Sequence, residues 1–318
     1  MLKELTYKVI VIDDDSDLYE DYVEIIKKRL DTEGYLLVDE RYEELSELEE
    51  NPLHDVDLFL VDLKFGSQDK GPEFINKIRE NYLTDILFYS SDSKSIQKYR
   101  SSGEYQGVYF AIRDENKDEI TPSINGLIEK LIKRSNTPAA TRGIVLGCVA
   151  ELDNVIKQKI VKLLEQLSLP LKKQLVEKCF RLFLESYKGR FNKARDFFGC
   201  DLHKGMKSFG ELKNEYADFD IQELINNIYI TDSNKNLNVL VQTHKILKGE
   251  NDVQNSIIEI LKLLEDRNVL AHVSEELDCE GCYRFKRPKK DEYLTLSPEK
   301  CRELRTDIIK YFSLISKI

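Results

Sequence analysis

Three polar residues end a segment that otherwise has the apolar periodicity of a buried helix. In EDRNVLAH, residues 265–272, Asn268 and His272 are four residues apart and share a helix face, and the long side chain of Arg267 can reach the same space. Histidine can move a proton near neutral pH, and arginine can stabilise a charged phosphorane. This set suffices to cleave RNA without a metal, by attack of the ribose 2′-OH on the adjacent phosphorus. DNA lacks that hydroxyl and is not expected as a substrate.

The placement of these residues on the helix predicts a polar cluster or a cleft. The apolar stripe of VQNSIIEILKLL, residues 253–264, continues to Asn268 and Ala271, with His272 beside them. Burying an amide and an imidazole there is costly unless other groups satisfy them. We therefore expect these side chains either to form a satisfied cluster at the end of a bundle or to line a site.

A second set of chemical groups follows apolar runs in the first half of the chain. Asp13 and Asp14 follow VIVI, Asp62 follows LFLV, Ser90 follows ILFY and Arg113 follows VYFAI. Clustered carboxylates repel one another unless a divalent cation with oxygen ligands holds them. A carboxylate, a cation, a hydroxyl and a guanidinium together suit the transfer of a phosphoryl group, which depends on positive charge around the moving oxygens.

The elements that must position these groups alternate between strands and helices. The apolar runs YKVIVI, YLLVDE, VDLFLVDL, DILFYSS and GVYFAI predict five strands separated by amphipathic helices. Parallel strands need such crossovers, so we predict a doubly wound α/β domain over residues 1–134. Ligands bind at the carboxyl ends of the strands in such sheets, which is where the acids, the serine and the arginine lie.

The second half of the chain has a different periodicity. SNTPAATRG, residues 135–143, lacks apolar periodicity and is rich in small residues, which predicts a linker. From residue 144 to residue 318, apolar residues recur at spacings of three and four, which predicts an all-α helical bundle. There is no internal repeat, which argues against a solenoid.

Composition and charge narrow the function classes. The chain has 318 residues and a net charge of −10, but residues 1–134 carry 18 basic and 31 acidic residues while the remainder carries 30 and 27. Only the second half is therefore expected to approach nucleic acid. No apolar run is long enough to span a membrane, the N-terminus does not resemble a secretion signal, and the six cysteines are scattered. These features predict a cytoplasmic protein with reduced thiols and no membrane partner.

The residues at the strand ends resemble the receiver domain of two-component response regulators, over residues 6–134. The resemblance implies a flavodoxin-like fold, phosphorylation of Asp62, and a histidine kinase or phosphotransfer protein as partner. It also implies Mg²⁺ held by Asp13, Asp14, Asp62 and the backbone carbonyl of Lys64. The implied switch residues are Ser90, Phe110 and Arg113.

Two features depart from the receiver pattern. The family has lysine followed by proline where this chain has Arg113 and Asp114, and the loop after Asp62, LKFGSQDKGPEF, is longer than usual. Arginine keeps the positive charge but not the compact geometry of lysine. A receiver that no longer turns over phosphate is therefore an alternative, and Asp15 is an alternative member of the acid pair.

The stretch RNVLAH resembles the signature of the HEPN superfamily, an arginine and a histidine separated by four residues, the first of them often polar. The resemblance implies a HEPN-like helical domain that forms a homodimer in which two motifs face each other. It further implies a toxin-like or antiviral defence ribonuclease that cleaves tRNA or other cellular RNA without a cofactor. The implied catalytic residues are Arg267, Asn268 and His272.

A basic and aromatic stretch, CEGCYRFKRPKKDEY, follows the motif. Its composition can bind phosphates and stack on bases, although a solvated loop is an equal alternative. The expected RNA-binding residues are Arg284, Lys286, Arg287, Lys289 and Lys290. Cys279 and Cys282 form a single CxxC motif. We expect plain thiols here, because one such pair without further ligands is only a weak indication of a zinc site.

The hypothesis is a phosphorylation- or partner-regulated, metal-independent endoribonuclease that combines a receiver-like and a HEPN-like domain. The rival hypothesis is a signalling adaptor that is not catalytic and whose helical domain mediates dimerisation or binds another protein. DNA-binding transcription regulation ranks third, because the sequence has no evident helix-turn-helix or winged-helix signature.

Overall fold

The structure is a computed structural model that divides into two compact units. It describes residues 2–43, 47, 55–63, 75, 84–102, 106–114, 117–198, 221–227, 231–249, 252–278, 282–288 and 291–317. The first unit, here called the α/β unit, comprises residues 1–144 and 295–306, and the second, the helical unit, comprises residues 145–294 and 307–318. Not one of the described helices is long and apolar enough to cross a lipid bilayer.

Five parallel strands form the centre of the α/β unit. They are β1 (Thr6–Ile12), β2 (Leu36–Tyr42), β3 (Leu58–Asp62), β4 (Asp85–Ser90) and β5 (Val108–Asp114), in the spatial order β2-β1-β3-β4-β5. A short strand, β6 (Lys117–Asp118), pairs antiparallel with the end of β5. Every residue of β3 and β4 is buried, because central parallel strands are covered on both faces. The predicted parallel α/β sheet is confirmed.

Three described helices cover this sheet: α1 (Ser16–Thr32), α2 (Ser93–Ser102) and α3 (Ile120–Ser135). α1 begins after Asp15, whose carboxylate accepts hydrogen bonds from the backbone N–H groups of Asp17 and Leu18. The helix ends before Gly34, whose φ of 74° lies in the left-handed region that glycine adopts readily. α3 packs against α1 through an apolar stripe that includes Ile124 and Leu131.

The two faces of the sheet have different neighbours, since side chains alternate along a strand. Ile12, Val61 and Phe88 belong to one core cluster with Ile96 and other residues of the face that α2 covers. Tyr89, one residue further along β4, lies on the opposite face, where its ring contacts Tyr22 of α1. Asp13, which follows Ile12, therefore lies on the face of the sheet that α1 and α3 cover.

The helical unit contains most of the remaining helices. Along the chain follow α4 (Pro138–Glu165), α5 (Leu169–Phe198), α6 (Ile221–Asn226), α7 (Ser233–Lys248), α8 (Asp252–His272) and α9 (Pro298–Lys317). Within this unit α5 packs against α7, and α7 packs against α8. The predicted helical character of the C-terminal region is confirmed.

The second half of the chain is not entirely helical, which corrects the all-α prediction. Three short strands, β7 (Glu276–Leu277), β8 (Tyr283–Lys286) and β9 (Tyr293–Leu296), form a small sheet in the order β7-β8-β9. β8 and β9 contain the aromatic and β-branched residues typical of strands, and Phe285 and Leu294 are buried. Four-residue strands are too short to give a clear alternation in the sequence.

The segment predicted as a linker, residues 135–143, is mostly helical. α3 continues to Ser135 and α4 begins at Pro138. Proline fits the first helical position because its fixed φ suits a helix and its missing N–H would have no partner there. The Thr137 hydroxyl accepts a hydrogen bond from the Ala140 N–H at 3.2 Å and so caps the helix. Small residues and a proline mark a helix start here.

A segment near the C-terminus completes the α/β unit. Arg305, which is 1% exposed, donates from Nε to the Glu33 carbonyl oxygen and from Nη1 to Asn136 Oδ1, each at 2.8 Å. Its guanidinium lies over the ring of Tyr35, 4.4 Å from the centroid. Arg302 adds two hydrogen bonds of 3.2 Å to the Glu33 carboxylate. Residues 295–306 are therefore joined to the α/β unit by a buried cation with several partners.

Replacing Arg305 is expected to destabilise the protein strongly. Arg305→Ala leaves the buried side chain of Glu33 with fewer partners, and breaking a buried ion pair costs about 3–5 kcal/mol. The measurement is the urea unfolding midpoint, followed by circular dichroism. Arg302→Ala is the matched control, because it also removes a partner of Glu33, but its own side chain is 42% exposed, so we expect a smaller loss of stability. Equal losses in the two variants would contradict this assignment.

Candidate functional site

A row of side chains crosses the carboxyl edge of the parallel sheet. The register pairs Ile12 with Val61, so Asp13 and Asp62 follow at neighbouring positions, and Asp62 itself pairs with Tyr89. Neighbouring strands are about 4.8 Å apart, and paired residues point to the same face. Asp13 is fully buried and Asp62 is 5% exposed. Two of the predicted carboxylates therefore lie together, beside a tyrosine that the sequence analysis did not consider.

The carboxylate of Asp13 accepts two hydrogen bonds. The backbone N–H of Asp15 donates to Oδ1 at 2.9 Å, and the hydroxyl of Tyr89 donates to Oδ2 at 2.5 Å. Burial raises the pKa of the Asp13 carboxyl, and the two hydrogen bonds and the positive charge of Arg113 lower it in part. The fold therefore disfavours the charged form of Asp13, and the surrounding donors offset part of that cost.

Tyr89 is the principal site residue that sequence reasoning missed. It is fully buried, and its ring meets the ring of Tyr22 edge-on, with centroids 5.3 Å apart. Burial raises the pKa of its phenol well above the ordinary value, so the hydroxyl stays protonated and can donate. Alternation along the strand was the available signal, because it places the residue before Ser90 on the same face as Asp62.

The acidic turn after β1 is held by its backbone. Arg41 of β2 donates from Nε to the Asp13 carbonyl oxygen at 3.1 Å and from Nη2 to the Asp14 carbonyl oxygen at 2.7 Å. Asp14 is exposed at the end of the row. Asp15, the alternative member of the acid pair, caps α1 with its carboxylate. The Asp15 carboxylate is therefore engaged by the backbone of α1.

Arg113 lies on the same face of the sheet as the acids, two residues beyond Ala111, which pairs with Tyr89. It borders a groove of 430 Å³ between α1 and the start of α3, together with Tyr22 and Thr121. Its Nη1 is buried and makes no hydrogen bond to the residues that the structure describes. The guanidinium is thus near enough to influence Asp13 and retains donor capacity for a ligand.

The other two predicted switch residues belong to the opposite face. Ser90 is fully buried, and its hydroxyl accepts a hydrogen bond from the Asp92 N–H at 3.2 Å. Phe110 stacks on Phe88 and on Tyr99, with ring centroids 5.9 and 5.7 Å apart. Ser90 is at the same edge of the sheet as Asp62, while Phe110 packs beside α2.

The donor set suits a hard divalent cation. Mg²⁺ prefers oxygen ligands, keeps several waters and is usually bound through one or two carboxylates, which Asp13 and Asp62 can provide. Within the described part of the chain, no three His, Cys, Asp or Glu side chains are grouped closely enough to hold a metal ion. The remaining predicted ligands are the exposed Asp14 and the carbonyl of Lys64, which lies outside the described residues.

The three residues of the second predicted site lie near the end of α8. Arg267 is half-buried, and its Nη1 donates to Asn268 Oδ1 at 3.0 Å. Its Nε is buried and has no hydrogen-bond partner among the described residues. Asn268 and His272 are exposed, and His272 is the last helical residue. An imidazole and a guanidinium are therefore presented near one exposed helix end.

This exposure corrects the expectation that Asn268 and His272 replace core residues. The buried face of α8 continues instead through Asp266, Val269 and Leu270. Asp266 is tolerated there because Arg287 forms an ion pair with it. The extrapolated stripe was wrong because a buried acid marks the core face here, and its partner is far away in sequence.

The three described residues among the predicted RNA-binding residues each have an acidic partner within the helical unit. Arg284 pairs with Glu276 at 3.4 Å and its guanidinium lies 4.7 Å from the ring centroid of Tyr293, and Arg287 pairs with Asp266. Lys286 is exposed and lies 3.8 Å from Asp291. Lys289 and Lys290 lie outside the described residues. These ion pairs reduce the positive charge that the stretch can offer to RNA.

Comparison with known proteins adds no family assignment. No protein-family model matches the chain, and no curated protein matches it significantly.

Replacing Asp13 by asparagine is expected to raise the melting temperature at pH 7 in the presence of EDTA. Because burial raises the folded-state pKa of Asp13, its charge lowers stability at pH values above that pKa. Asparagine keeps the size and an acceptor oxygen but carries no charge. The gain should disappear as the pH falls below about 4, where an unfolded aspartate is also protonated.

The matched control for this experiment is Asp14→Asn. Asp14 is the neighbouring acid but is exposed, so the substitution removes the same formal charge without relieving burial. A gain of equal size in Asp14→Asn, measured by calorimetry across the same pH range, would show that general charge repulsion and not burial of Asp13 is responsible.

Proposed function

We propose that the chain is a phosphorylation-regulated protein in which the α/β unit accepts a phosphoryl group on Asp62 and the helical unit cleaves RNA with Arg267 and His272. The observation that carries the first part is the row formed by Asp13 and Asp62 at the carboxyl edge, with Arg113 on the same face. The strand order β2-β1-β3-β4-β5 supports a flavodoxin-like receiver, because its topological switch point lies between β1 and β3, where these acids are.

The proposed phosphoryl transfer uses groups of the α/β unit. An Asp62 carboxylate oxygen attacks the phosphorus of a phosphodonor, the bond from phosphorus to the donor breaks, and an aspartyl phosphate forms. Arg113 stabilises the negative charge on the moving oxygens, since its buried Nη1 makes no hydrogen bond to the described part of the chain and can donate to them. A bound Mg²⁺ would supply further positive charge at the phosphoryl oxygens. The physiological donor would be a histidine kinase or phosphotransfer protein.

The second part of the proposal rests on the helix end of α8. Arg267 and Asn268 are joined by a hydrogen bond, and Asn268 shares its helix face with His272. The exposure of Asn268 and His272 on a single chain supports a site completed by a second copy, because one open helix end does not enclose a substrate. A homodimer would place two such sets around one RNA strand.

The proposed cleavage uses two histidines, one that accepts a proton and one that donates a proton. The neutral His272 of one copy takes the proton from the ribose 2′-OH, whose oxygen attacks the phosphorus. The bond from phosphorus to the 5′ oxygen breaks, and the protonated His272 of the other copy donates to that oxygen. Arg267 stabilises the phosphorane. The products carry a 2′,3′-cyclic phosphate and a 5′-hydroxyl.

A signalling adaptor is the second candidate function, and one observation favours it. Arg284 and Arg287, expected to contact RNA, are paired with Glu276 and Asp266. A surface neutralised in this way is better suited to a protein partner than to a polyanion. In this case the exposed end of α8 would contact that partner or a second copy.

Asp62→Asn is expected to abolish phosphorylation by a small acyl phosphate donor in Mg²⁺, because asparagine cannot form the acyl phosphate. Arg113→Ala should slow the reaction about 100-fold, the usual loss when one charge-stabilising donor is removed. Intact-protein mass spectrometry over time measures both effects. Asp57→Asn is the control, since Asp57 precedes the same strand at the opposite edge. Unchanged modification of Asp62→Asn would exclude this acceptor.

The 318-residue protein is expected to cleave labelled tRNA in EDTA and to leave 2′,3′-cyclic phosphate ends. His272→Ala and Arg267→Ala should each lower the rate at least about 100-fold, because each removes a group that acts in the transition state. Lys262→Ala, an exposed change on α8, should leave the rate unchanged. Absence of cleavage by a folded dimer, with and without phosphodonor, would favour the adaptor.

A further inference from the structure

A buried hydroxyl occupies one oxygen of the acid on which the proposed cation site depends. Tyr89 is fully buried and donates to Asp13 Oδ2 at 2.5 Å. The other oxygen, Oδ1, already accepts the Asp15 N–H at 2.9 Å. Each oxygen of the Asp13 carboxylate therefore has a donor in the fold as it stands.

A cation and a hydroxyl donor compete at the same carboxylate oxygen. A divalent ion binds a carboxylate through its lone pairs, and the hydrogen of the Tyr89 hydroxyl points at those of Oδ2 with its own partial positive charge. Without a cation this hydrogen bond stabilises a buried charge. When a cation binds, the two positive groups repel one another, and the hydrogen bond must be given up or weakened.

The position of Tyr89 makes this competition part of the site. Its register partner is Asp62, which follows Val61 as Asp13 follows the paired Ile12. Its ring contacts Tyr22, which borders the same groove of 430 Å³ as Arg113. A shift of the Tyr89 side chain would therefore also displace Tyr22 and change the groove between α1 and α3.

We propose that Tyr89 is a positioning residue. Its hydroxyl donates to Asp13 Oδ2 in the absence of a cation and releases this oxygen when a divalent cation binds. The proposal rests on the cation site of the proposed function, and it adds a residue outside the receiver pattern. The hydrogen bond from the Tyr89 hydroxyl stabilises the metal-free site and therefore lowers the affinity of the site for the cation.

The test is a calorimetric titration of the 318-residue protein with Mg²⁺. Tyr89→Phe should bind Mg²⁺ more tightly, roughly tenfold to a hundredfold, the worth of one hydrogen bond to a charged group. Tyr7→Phe is the matched control, because Tyr7 is also a buried tyrosine of the α/β unit and its hydroxyl lies 2.7 Å from Ser135 Oγ, away from the acids. It should bind as the wild type does, and Asp13→Asn should lose most of the affinity.

A second measurement uses the wild-type protein and therefore does not depend on whether a Tyr89 variant folds. Mg²⁺ added to the wild-type protein should perturb the near-ultraviolet absorption of a buried tyrosine, and this difference spectrum should be absent in Asp13→Asn. The chain has 16 tyrosines and no tryptophan, so tryptophan absorption does not obscure the signal. A wild-type titration with binding heat but no tyrosine difference spectrum would overturn the proposal.

The outcomes separate this proposal from the proposed function. Wild-type binding with equal or weaker binding by Tyr89→Phe overturns the role of Tyr89 and leaves the cation site intact. If neither the wild type nor folded Tyr89→Phe binds Mg²⁺, then both the role of Tyr89 and the cation site of the proposed function fail. Only tighter binding by Tyr89→Phe than by the wild type supports both the role of Tyr89 and the cation site.

Discussion

The register of the parallel strands determines which side chains can meet at the carboxyl edge. A strand alternates with a period of two, so the pairing of Ile12 with Val61 places Asp13 and Asp62 on one face. The same pairing, continued through Tyr89 and Ala111, assigns Arg113 to that face and Ser90 to the other. A slip of one residue between β1 and β3 would move one of the carboxylates to the opposite face of the sheet. The proposed chemistry of the α/β unit therefore depends on the packing that fixes this register.

That packing is not contributed by the first half of the chain alone. The turn after α1 is occupied by Arg305, whose buried guanidinium bonds to the Glu33 carbonyl and lies over Tyr35. Gly34 permits the approach, since a Cβ there would lie 3.0 Å from the Thr306 Oγ1 and its φ is positive. A buried cation tolerates few alternative positions, because each lost partner leaves a charge without compensation. Residues 295–306 thus belong to the α/β unit by energetics as well as by proximity.

These contacts explain which features the sequence could predict. The five strands and the acids at their ends follow from local periodicity, which the sequence shows directly, and so does the helical character of the second half. The assignment of residues 295–306 to the α/β unit does not, because the contact of Arg305 with Glu33 joins residues far apart in the chain. The prediction of the buried face of α8 was wrong for the same reason: the buried Asp266 is paired with Arg287, which lies outside this helix. Long-range ion pairs leave no periodic signal.

A buried acid and a cation of the α/β unit lie on one face of the sheet and have opposite charge. Asp13 is a fully buried acid whose pKa burial raises, and Arg113 has a buried Nη1 without a hydrogen bond among the described residues. Apolar residues at both positions would remove these costs, so stability alone does not account for them. A cation at Asp13 together with an anionic phosphoryl group at Arg113 would compensate both charges at once. Tyr89 then has a clear physical role, since it provides a weaker compensation for Asp13 while that ligand pair is absent.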